Sequence, residues 1–381
     1  MRVCIIGWYG TETLGDRAIL AGMLAFLSEV SADIQVSLGS LHPFFSERTL
    51  VEDQPLWKTL TGREVPVELF NSSKPGPLKR AIQSSDLLLM GGGPLMDLRE
   101  MHMVAFAFRY ARRKKVRTGI FGCGIGPLKK PSFQKAAADI LAHSDFAVFR
   151  DSLAEAEARK LCRKSDFRSC SAIDPAAYCA RLFKEKYMPL DTQNRISINL
   201  RAISWEYDKV VDGKGFNDFA VELVDKVVAD NPESKVLLIP HHYFFFGGDD
   251  RVLMNTIKYR IGNREILVQN KPLSLQETMS TFASSTCCVG MRFHAMLLMP
   301  LLNGRCRVIN YTGDQSGKIR GYLNDFDPNG FFDSRRVLSL DAGEWDLSIF
   351  DNMLQDDCFE SPDGLLDKAF QTYRTVLAEH T

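Results

Sequence analysis

The sequence predicts an α/β fold with two doubly wound parallel sheets. Short apolar runs of strand length alternate with segments whose apolar residues recur at helical spacing, along almost the whole chain. With 381 residues the chain exceeds one ordinary hydrophobic core, so two domains of about 180 residues are expected. A polar stretch, residues 182–194, marks the boundary. We therefore expect Rossmann-like domains in residues 1–185 and 190–360, and a terminal helix in residues 361–381.

The composition argues against several classes of protein. Hydrophobic residues make up 45% and charged residues 25%, as in ordinary globular proteins. The formal net charge is zero, so nothing indicates a nucleic-acid partner. The nine cysteines show neither a CxxC pair nor zinc-ligand spacing, which favours reduced thiols in a cytoplasmic protein. No apolar run approaches the ~20 residues of a membrane span, and the N-terminus lacks a signal-peptide core.

The first elements form a strand, a glycine loop and a helix. Val3–Gly7 is the predicted strand and Arg17–Val30 the helix, with apolar residues on one face. The glycines between them do not fit GxGxxG, so the loop is either a ligand loop or a tight turn that lets the helix pack on the strand. Ile34–Leu38 follows as the second strand. Residues 42–80 are rich in proline, serine and charge and are expected to be irregular.

A run of three glycines follows the next strand. Ser85–Met90 is the predicted buried strand, and Gly91, Gly92 and Gly93 come directly after it. Glycines at a strand end allow a ligand to approach the backbone closely, or they make room for a neighbouring loop. Asp97 adds a carboxylate at the same edge, which favours the ligand site.

The alternation continues to the end of the first half. The predicted elements are helix Met101–Arg113, strand Val116–Phe121, helix Phe133–Ala142, strand Phe146–Phe149 and helix 154–162. Arg150 stands at the carboxyl end of its strand. Asp151 is expected to pair with Arg150 or to cap the following helix, a position that Ser152 could also fill.

The second half repeats this pattern. The predicted strands are Arg195–Leu200, Val236–Ile239, Ile266–Gln269, Thr286–Val289 and Arg307–Asn310. The predicted helices are Phe216–Ala229, Arg251–Ile261, Leu275–Ala283, Ala295–Leu302, Lys318–Phe326 and 364–381. We expect the two domains to present their strand ends to a shared cleft.

The turn from Gly290 to His294 has the strongest functional signal. It connects a buried strand to a helix, and ligands bind at the carboxyl ends of strands in open α/β sheets. A helix N-terminus offers free N–H groups to an anion. Arg292 adds a planar fork suited to carboxylate or phosphate, and His294 can carry a proton near neutral pH. The set suits an anionic substrate that must be protonated.

Other strand ends supply further candidates. Arg201 follows the first strand of the second half, two residues after Asn199, and would face the same crevice as Arg292 if their strands are close. Two converging arginines indicate a ligand with two anionic groups; otherwise each makes a surface salt bridge. His241 and His242 end another strand. Adjacent residues of an extended chain point to opposite faces, so they do not form a metal pair, although one could line the cleft.

Several motifs together resemble the polysaccharide pyruvyl transferase family, over almost the whole chain. The matching segments are GWYG…LGD at 7–16, GGGPLMD at 91–97, GCGIGP at 122–127, RDS at 150–152, DPAAY at 174–178, INLR at 198–201, IPHH at 239–242 and GMRFHAM at 290–296. The resemblance implies a GT-B-like fold. It also implies transfer of a pyruvyl group from phosphoenolpyruvate to two hydroxyls of a sugar, which forms a cyclic ketal and releases phosphate.

This chemistry assigns roles to the candidate residues. His294 is the expected general acid that protonates the methylene carbon of phosphoenolpyruvate, and Asp97 is expected to bind or deprotonate an acceptor hydroxyl. The donor-binding residues are expected to be Arg292, Arg201, Asn199, Gly290 and His241. The acceptor-binding residues are expected to be Gly10, Gly15, Asp16, Gly91, Gly92, Gly93 and Arg150. The first domain is thus the acceptor side and the second the phosphoenolpyruvate side.

Two positions in the first glycine loop depart from the family. The family usually has asparagine at the position of Thr13 and an acidic residue at the position of Arg17, so the acceptor is left open. Two alternatives remain: a GT-B glycosyltransferase that uses a nucleotide sugar, in which Arg292 would hold a diphosphate, or a non-catalytic member that binds a glycan or a partner protein.

The expected partners follow from the same chemistry. They are phosphoenolpyruvate as co-substrate and a sugar or lipid-linked glycan as acceptor, with no nucleic acid, no redox cofactor and no metal. The expected location is the cytoplasm, either free or peripheral to the inner face of the membrane.

Overall fold

A computed structural model describes residues 1–162, 164, 166–203, 213–244, 247–262, 265–313, 317–342, 345–362 and 364–381. Its contacts divide the chain into two compact units. The first comprises Met1–Cys179 with Asp363–Thr381, and the second comprises Ala180–Pro362. Among the described residues, no helix is long and apolar enough to cross a membrane.

The first unit is built on a seven-stranded parallel sheet. Its strands are β1 (Arg2–Ile6), β2 (Gln35–Ser40), β3 (Val67–Asn71), β4 (Leu87–Met90), β5 (Arg117–Cys123), β6 (Phe146–Phe149) and β7 (Ser169–Ser171). Its helices are α1 (Leu14–Val30), α2 (Pro43–Thr61), α3 (Pro75–Gln83), α4 (Met101–Arg113), α5 (Pro131–Ala142) and α6 (Ser152–Leu161), and α7 (Ala176–Tyr187) continues into the second unit. The strand order is β3-β2-β1-β4-β5-β6-β7.

The second unit has a six-stranded parallel sheet. Its strands are β8 (Gln193–Asn199), β9 (Lys235–Leu238), β10 (Ile266–Val268), β11 (Ser285–Gly290), β12 (Cys306–Asn310) and β13 (Val337–Ser339). Its helices are α8 (Gly213–Asp230), α9 (Asp250–Ile261), α10 (Leu275–Ser284), α11 (Phe293–Leu302) and α12 (Lys318–Phe326). The strand order is β10-β9-β8-β11-β12-β13. The prediction of two doubly wound parallel sheets is confirmed.

The last helix, α13 (Leu365–His380), packs on the first unit. The ring of Tyr373 lies 4.9 Å from that of Phe26 on α1, and the Tyr373 hydroxyl donates to the carbonyl of Ile173. At the surface, Arg374 pairs with Glu29 at 2.7 Å. The chain therefore returns to its first unit after completing the second.

The prediction that residues 42–80 are irregular is wrong, because this segment contains α2, β3 and α3. Helix α2 buries Leu56, Trp57 and Leu60, while most of its other positions are polar. Its internal Pro55 and its many charges weaken the helical pattern in the sequence. This narrow apolar stripe packs against α1 and β3, and that packing outweighs the weak helical propensity of the segment.

Each sheet has a point where the strand order reverses direction. In the first unit it lies between β1 and β4, and in the second between β8 and β11. At such a point the segment after one strand crosses one face of the sheet and the segment after its neighbour crosses the other face. This opens a crevice at the carboxyl ends of the two strands. The best-supported motifs of the sequence follow these four strands.

Candidate active site

In the second unit, β8 and β11 deliver polar residues to the reversal point. They are paired in parallel, with Asn199 opposite Gly290. The segments that follow these two residues contain Arg201 and Arg292, respectively. Both arginines are nearly buried, at 7% and 6% exposure. Burial lowers the pKa of Arg292, and the nearby charge of Arg201 lowers it further, while the Asp250 carboxylate raises it.

Arg292 is anchored by a buried carboxylate. Its Nε donates to both oxygens of Asp250, at 2.8 and 3.0 Å, and its Nη2 donates to one of them at 2.5 Å. Asp250, the first residue of α9, is 2% exposed, and its Oδ2 also accepts the backbone N–H groups of His241 and His242 at 3.0 Å. One carboxylate therefore fixes both the arginine and the end of β9. Within the described residues, Asp250 thus binds Nε and Nη2 of Arg292, and Nη1 makes no such contact.

Asn199 and Gly290 position this arginine. The Asn199 amide accepts the backbone N–H of Arg292 at 3.0 Å and donates to the carbonyl of Ile239 at 2.8 Å. A side chain at Gly290 would lie 3.1 Å from the backbone of Ala295 and Met296 in the first turn of α11. Glycine thus allows α11 to start close to β11. Asn199 and Gly290 therefore position the backbone of Arg292 rather than its guanidinium group.

His241 is a neutral imidazole beside the arginine. It is 1% exposed, and burial together with the charges of Arg292 and His294 lowers its pKa well below the usual range. Neither ring nitrogen has a hydrogen-bond partner in the described parts of the chain. Its ring centroid lies 5.5 Å from that of Phe282 on α10. Burial, Arg292 and Arg201 likewise lower the pKa of His242.

His294 is the second residue of α11 and is half-buried. Arg292 is the N-cap of this helix, so His294 lies in the turn whose N–H groups have no partner within the helix. Because its charge contributes to the pKa of His241, it lies near the end of β9 as well. The structure therefore brings four predicted donor-side residues, Arg201, His241, Arg292 and His294, to one edge.

Tyr311 and Lys318 complete this edge, and sequence reasoning missed both. Tyr311 directly follows β12 and is 1% exposed; its hydroxyl lies 3.4 Å from Nη1 of Arg201. The Lys318 ammonium lies 5.3 Å from the centroid of the tyrosine ring. Burial raises the pKa of Tyr311, but Lys318, Arg201 and Arg292 outweigh it and lower the pKa to about 7. Asp250 was also missed.

The strand-end loops of the first unit interlock around its three glycines. A side chain at Gly91 would collide with Met23, and one at Gly93 would collide with the Trp8 ring. Trp8 in turn donates from its backbone to Gly92 at 3.2 Å. Close packing of Met23 and Trp8 thus explains why these positions are glycine. The glycines lie at the reversal point of the first sheet, where the acceptor residues were predicted.

Substituting Gly93 with alanine tests this packing. We expect a loss of about 1–3 kcal/mol in the free energy of unfolding from the collision with Trp8, in addition to the strain of its φ of +91°. Gly62→Ala is the matched control, because its φ of +72° is also positive but nothing lies within 4 Å of the added carbon. Urea denaturation measures both variants, and equal losses would contradict the packing account.

Asp97 holds the loop that precedes α5. Its Oδ2 accepts the backbone N–H groups of Lys129 and Lys130 at 3.0 and 3.2 Å. Its own N–H donates to the carbonyl of Pro127 at 3.1 Å. The predicted catalytic carboxylate therefore has a structural task at this edge as well.

The first glycine loop and the helix after it are held by two charge pairs, of which Arg17–Asp53 is buried. Arg17 binds Asp53 of α2 through Nε and Nη2, both at 2.6 Å, and Arg48 pairs with Glu12. Thr13, the N-cap of α1, donates to Asp16. The two family departures, Thr13 and Arg17, therefore serve contacts within this unit.

The remaining acceptor-side candidates lie in the same unit. Gly10 has a φ of +86°, and a side chain there would meet the backbone of His42 at 2.8 Å. Gly15 is buried in the first turn of α1. Arg150 is 4% exposed, with Asp151 at 3.5 Å and Asp174 at 4.0 Å. Of the alternatives predicted for Asp151, the structure shows the helix cap, since its carboxylate accepts the backbone N–H of Ala154 at 2.7 Å.

The described residues contain no group of three or more histidine, cysteine or carboxylate side chains arranged to hold a metal ion. The cysteines of both units are free thiols, and burial raises the pKa of several of them, including Cys4 and Cys288.

A sequence model described as polysaccharide pyruvyl transferase matches residues 14–311. No curated protein matches the chain. Among solved structures, UDP-GlcNAc 2-epimerase from Methanocaldococcus jannaschii has a TM-score of 0.61 at 10% identity, over 99% of both chains. The Neisseria meningitidis UDP-GlcNAc 2-epimerase bound to UDP-GlcNAc has a TM-score of 0.58 at 9% identity, over 100% of this chain and 99% of the other.

An alpha-glucosyltransferase in complex with UDP-glucose and DNA is also similar, with a TM-score of 0.54 at 12% identity, over 100% of this chain and 96% of the other. At such identities the likeness shows the fold alone. These epimerases and glycosyltransferases have the GT-B fold, so the predicted GT-B-like class is confirmed.

Proposed function

The chain belongs to the polysaccharide pyruvyl transferase family, and we propose that it moves the pyruvyl group of phosphoenolpyruvate onto two hydroxyls of one sugar. The products are a cyclic ketal on the sugar and inorganic phosphate. One observation carries the proposal: two nearly buried arginines and a helix N-terminus with an imidazole on its first turn meet at one strand edge.

The two arginines match the two anionic groups of the donor. Phosphoenolpyruvate carries a carboxylate and a phosphate, and guanidinium groups bind both in planar geometry. Asp250 holds Nε and Nη2 of Arg292, so Nη1 is the atom that reaches the donor. Burial of both arginines strengthens their attraction for an anion, because little water screens it.

His294 supplies the proton that starts the reaction. Protonation of the methylene carbon makes the adjacent carbon electrophilic, and a sugar hydroxyl adds to it. Phosphate then departs while Arg201 and Arg292 stabilise its charge, and the second hydroxyl closes the ring. The lowered pKa of His241 keeps its ring neutral beside Arg292, so the two arginines and not this histidine supply the positive charge that binds the donor.

The acceptor side is proposed in the first unit. Asp97 is the proposed partner of an acceptor hydroxyl, since its Oδ1 is less engaged by the backbone than its Oδ2. The strand-end loops that carry the glycine candidates and Arg150 form the remainder of this site. A sugar presents the paired hydroxyls that a cyclic ketal needs, and a glycan or a glycan precursor is the proposed acceptor class.

Phosphate release tests the proposal. The protein is incubated with phosphoenolpyruvate and a panel of glycans and lipid-linked sugars, and free phosphate and product mass are measured. We expect phosphate release that depends on the acceptor, together with a glycan that has gained a pyruvyl ketal. Transfer of a sugar from a nucleotide sugar, with no reaction of phosphoenolpyruvate, would support the glycosyltransferase alternative instead.

A further inference from the structure

We propose that Tyr311 is the acid for the leaving phosphate: its phenol oxygen takes up a proton when the anionic donor binds between Arg201 and Lys318, and returns it to the phosphate as the carbon–oxygen bond breaks. This inference rests on the proposed function. It adds a catalytic residue that the motifs of the sequence do not contain.

The surroundings of Tyr311 are unlike those of two other buried tyrosines, Tyr9 and Tyr373. Burial raises the pKa of Tyr9 and Tyr373 well above the usual range, as expected for a phenol removed from water. Tyr311 is as buried as these two, yet its pKa falls to about 7, because burial is outweighed by Lys318, Arg201 and Arg292. Near neutral pH the phenol and the phenolate are both populated.

The geometry places this oxygen among the donor-binding cations. Arg201 Nη1 lies 3.4 Å from the hydroxyl, the Arg201 guanidinium carbon lies 5.0 Å from the ring centroid, and the Lys318 ammonium lies 5.3 Å from the same centroid. Each cation comes from a different part of the fold: Arg201 follows β8, Arg292 is the N-cap of α11 and Lys318 is the first residue of α12.

The other titratable groups at this edge do not replace the phenolate as counter-ion. His241 and His242 at the end of β9 are neutral, since burial and Arg292 lower their pKa values. His294 lies on the first turn of α11 and is the proposed carbon acid. The Asp250 carboxylate on α9 is already bound by Arg292 and by two backbone N–H groups.

An incoming phosphate changes this balance. The phenolate is stabilised by cations that the donor also needs, so a bound anion removes part of that stabilisation and adds like-charge repulsion. Both effects raise the pKa of Tyr311, and the phenol binds a proton from solvent. Donor binding is thereby coupled to proton uptake.

The proton balance closes. His294 protonates the methylene carbon, and the two hydroxyl oxygens form the two new bonds to the adjacent carbon. The bond from that carbon to the phosphate oxygen breaks with its electron pair on the oxygen, which takes the proton of Tyr311. One hydroxyl proton returns to His294 and the other goes to solvent, which replaces the proton that Tyr311 took up on binding.

The test uses the absorbance of tyrosinate in the full-length protein. Between about pH 6 and about pH 8, the wild type should gain one tyrosinate, and Tyr311→Phe should not. Tyr322→Phe is the matched control, because it removes another buried phenol of the second unit and should keep the signal. Near pH 8, phosphoenolpyruvate should abolish the signal, with uptake of about one proton per site measured by calorimetry in buffers of different ionisation enthalpy.

Turnover gives an independent readout. Tyr311→Phe should lower phosphate release by about 10²-fold and remove a titration near pH 7 from the pH profile, while Tyr322→Phe changes neither. The inference is overturned if the wild type gains no tyrosinate, or if donor binding leaves the tyrosinate unchanged. It is also overturned if Tyr311→Phe turns over normally with an unchanged pH profile, in which case the proposed function would stand.

Inorganic phosphate separates this inference from the proposed function. Its negative charge should raise the pKa of Tyr311 as the phosphate group of the donor does, so it should also abolish the tyrosinate signal. If phosphate does so while phosphoenolpyruvate neither binds nor reacts, the proposed function is overturned and the role of Tyr311 in pyruvyl transfer falls with it. If phosphoenolpyruvate reacts but neither anion alters the signal, only the inference fails.

Discussion

Replacing His294 with alanine is expected to lower phosphate release from phosphoenolpyruvate by about 10²- to 10⁴-fold, the range that a positioned acid contributes. Protonation of the methylene carbon creates the electrophile, and an alanine has no proton to give. The affinity for phosphoenolpyruvate should weaken only modestly, because Arg201 and Arg292 keep their positions. Turnover and donor affinity are measured separately, by phosphate release and by calorimetry.

A matched variant guards against general effects of losing an imidazole. His143→Ala removes a partly exposed histidine of the first unit that pairs with Asp139, and it should leave turnover within about two-fold of the wild type. Normal turnover of the His294→Ala variant would remove this residue from the mechanism. A loss of donor affinity as large as the loss of turnover would make it a binding residue instead.

Replacing Arg292 with methionine should cost about 3–5 kcal/mol in the free energy of unfolding and abolish measurable donor binding. The substitution leaves the Asp250 carboxylate, which is 2% exposed, without its cation, and an uncompensated buried charge has a penalty of this size. Loss of the guanidinium also removes one of the two groups proposed to bind the donor. Urea denaturation and calorimetry with phosphoenolpyruvate measure the two effects.

A second substitution separates stability from binding. In the double variant Arg292→Met with Asp250→Asn, the buried charge is gone while an amide oxygen remains to accept the N–H groups of His241 and His242. We expect the double variant to regain at least about 1 kcal/mol in the free energy of unfolding relative to Arg292→Met, the size of the penalty for one unsatisfied buried polar group. It should remain unable to bind the donor. Recovery of donor binding in the double variant would show that Arg292 acts only as a partner of Asp250.

Much of the fold could be predicted, because buried parallel strands are nearly continuous apolar runs. Leu87–Met90 and Phe146–Phe149 are apolar and buried along their whole length, so apolar runs identify them. The residues directly after such runs lie at the ligand-binding edge of the sheet. The positions of these runs in the sequence are therefore enough to predict that Arg201, His241, Arg292 and His294 share one edge.

Asp250, Tyr311 and Lys318 show what the sequence does not disclose. Asp250 starts a helix, where an acidic residue is expected as a capping group, and its bond to Arg292 spans 42 positions. Tyr311 follows a strand as many structural tyrosines do, and only the convergence of Arg201, Arg292 and Lys318 makes its pKa unusual. Contacts between distant parts of the chain leave no local pattern.

The most direct test of the account is a thermal titration of the wild type with phosphoenolpyruvate, beside uridine diphosphate and Arg201→Met. A ligand that binds only the native state stabilises it by about 2.7 kcal/mol at a hundred times its Kd. We predict that phosphoenolpyruvate raises the melting temperature of the wild type, that uridine diphosphate does not, and that Arg201→Met loses the effect. A rise with uridine diphosphate and none with phosphoenolpyruvate would contradict the assignment of this edge to a pyruvyl donor.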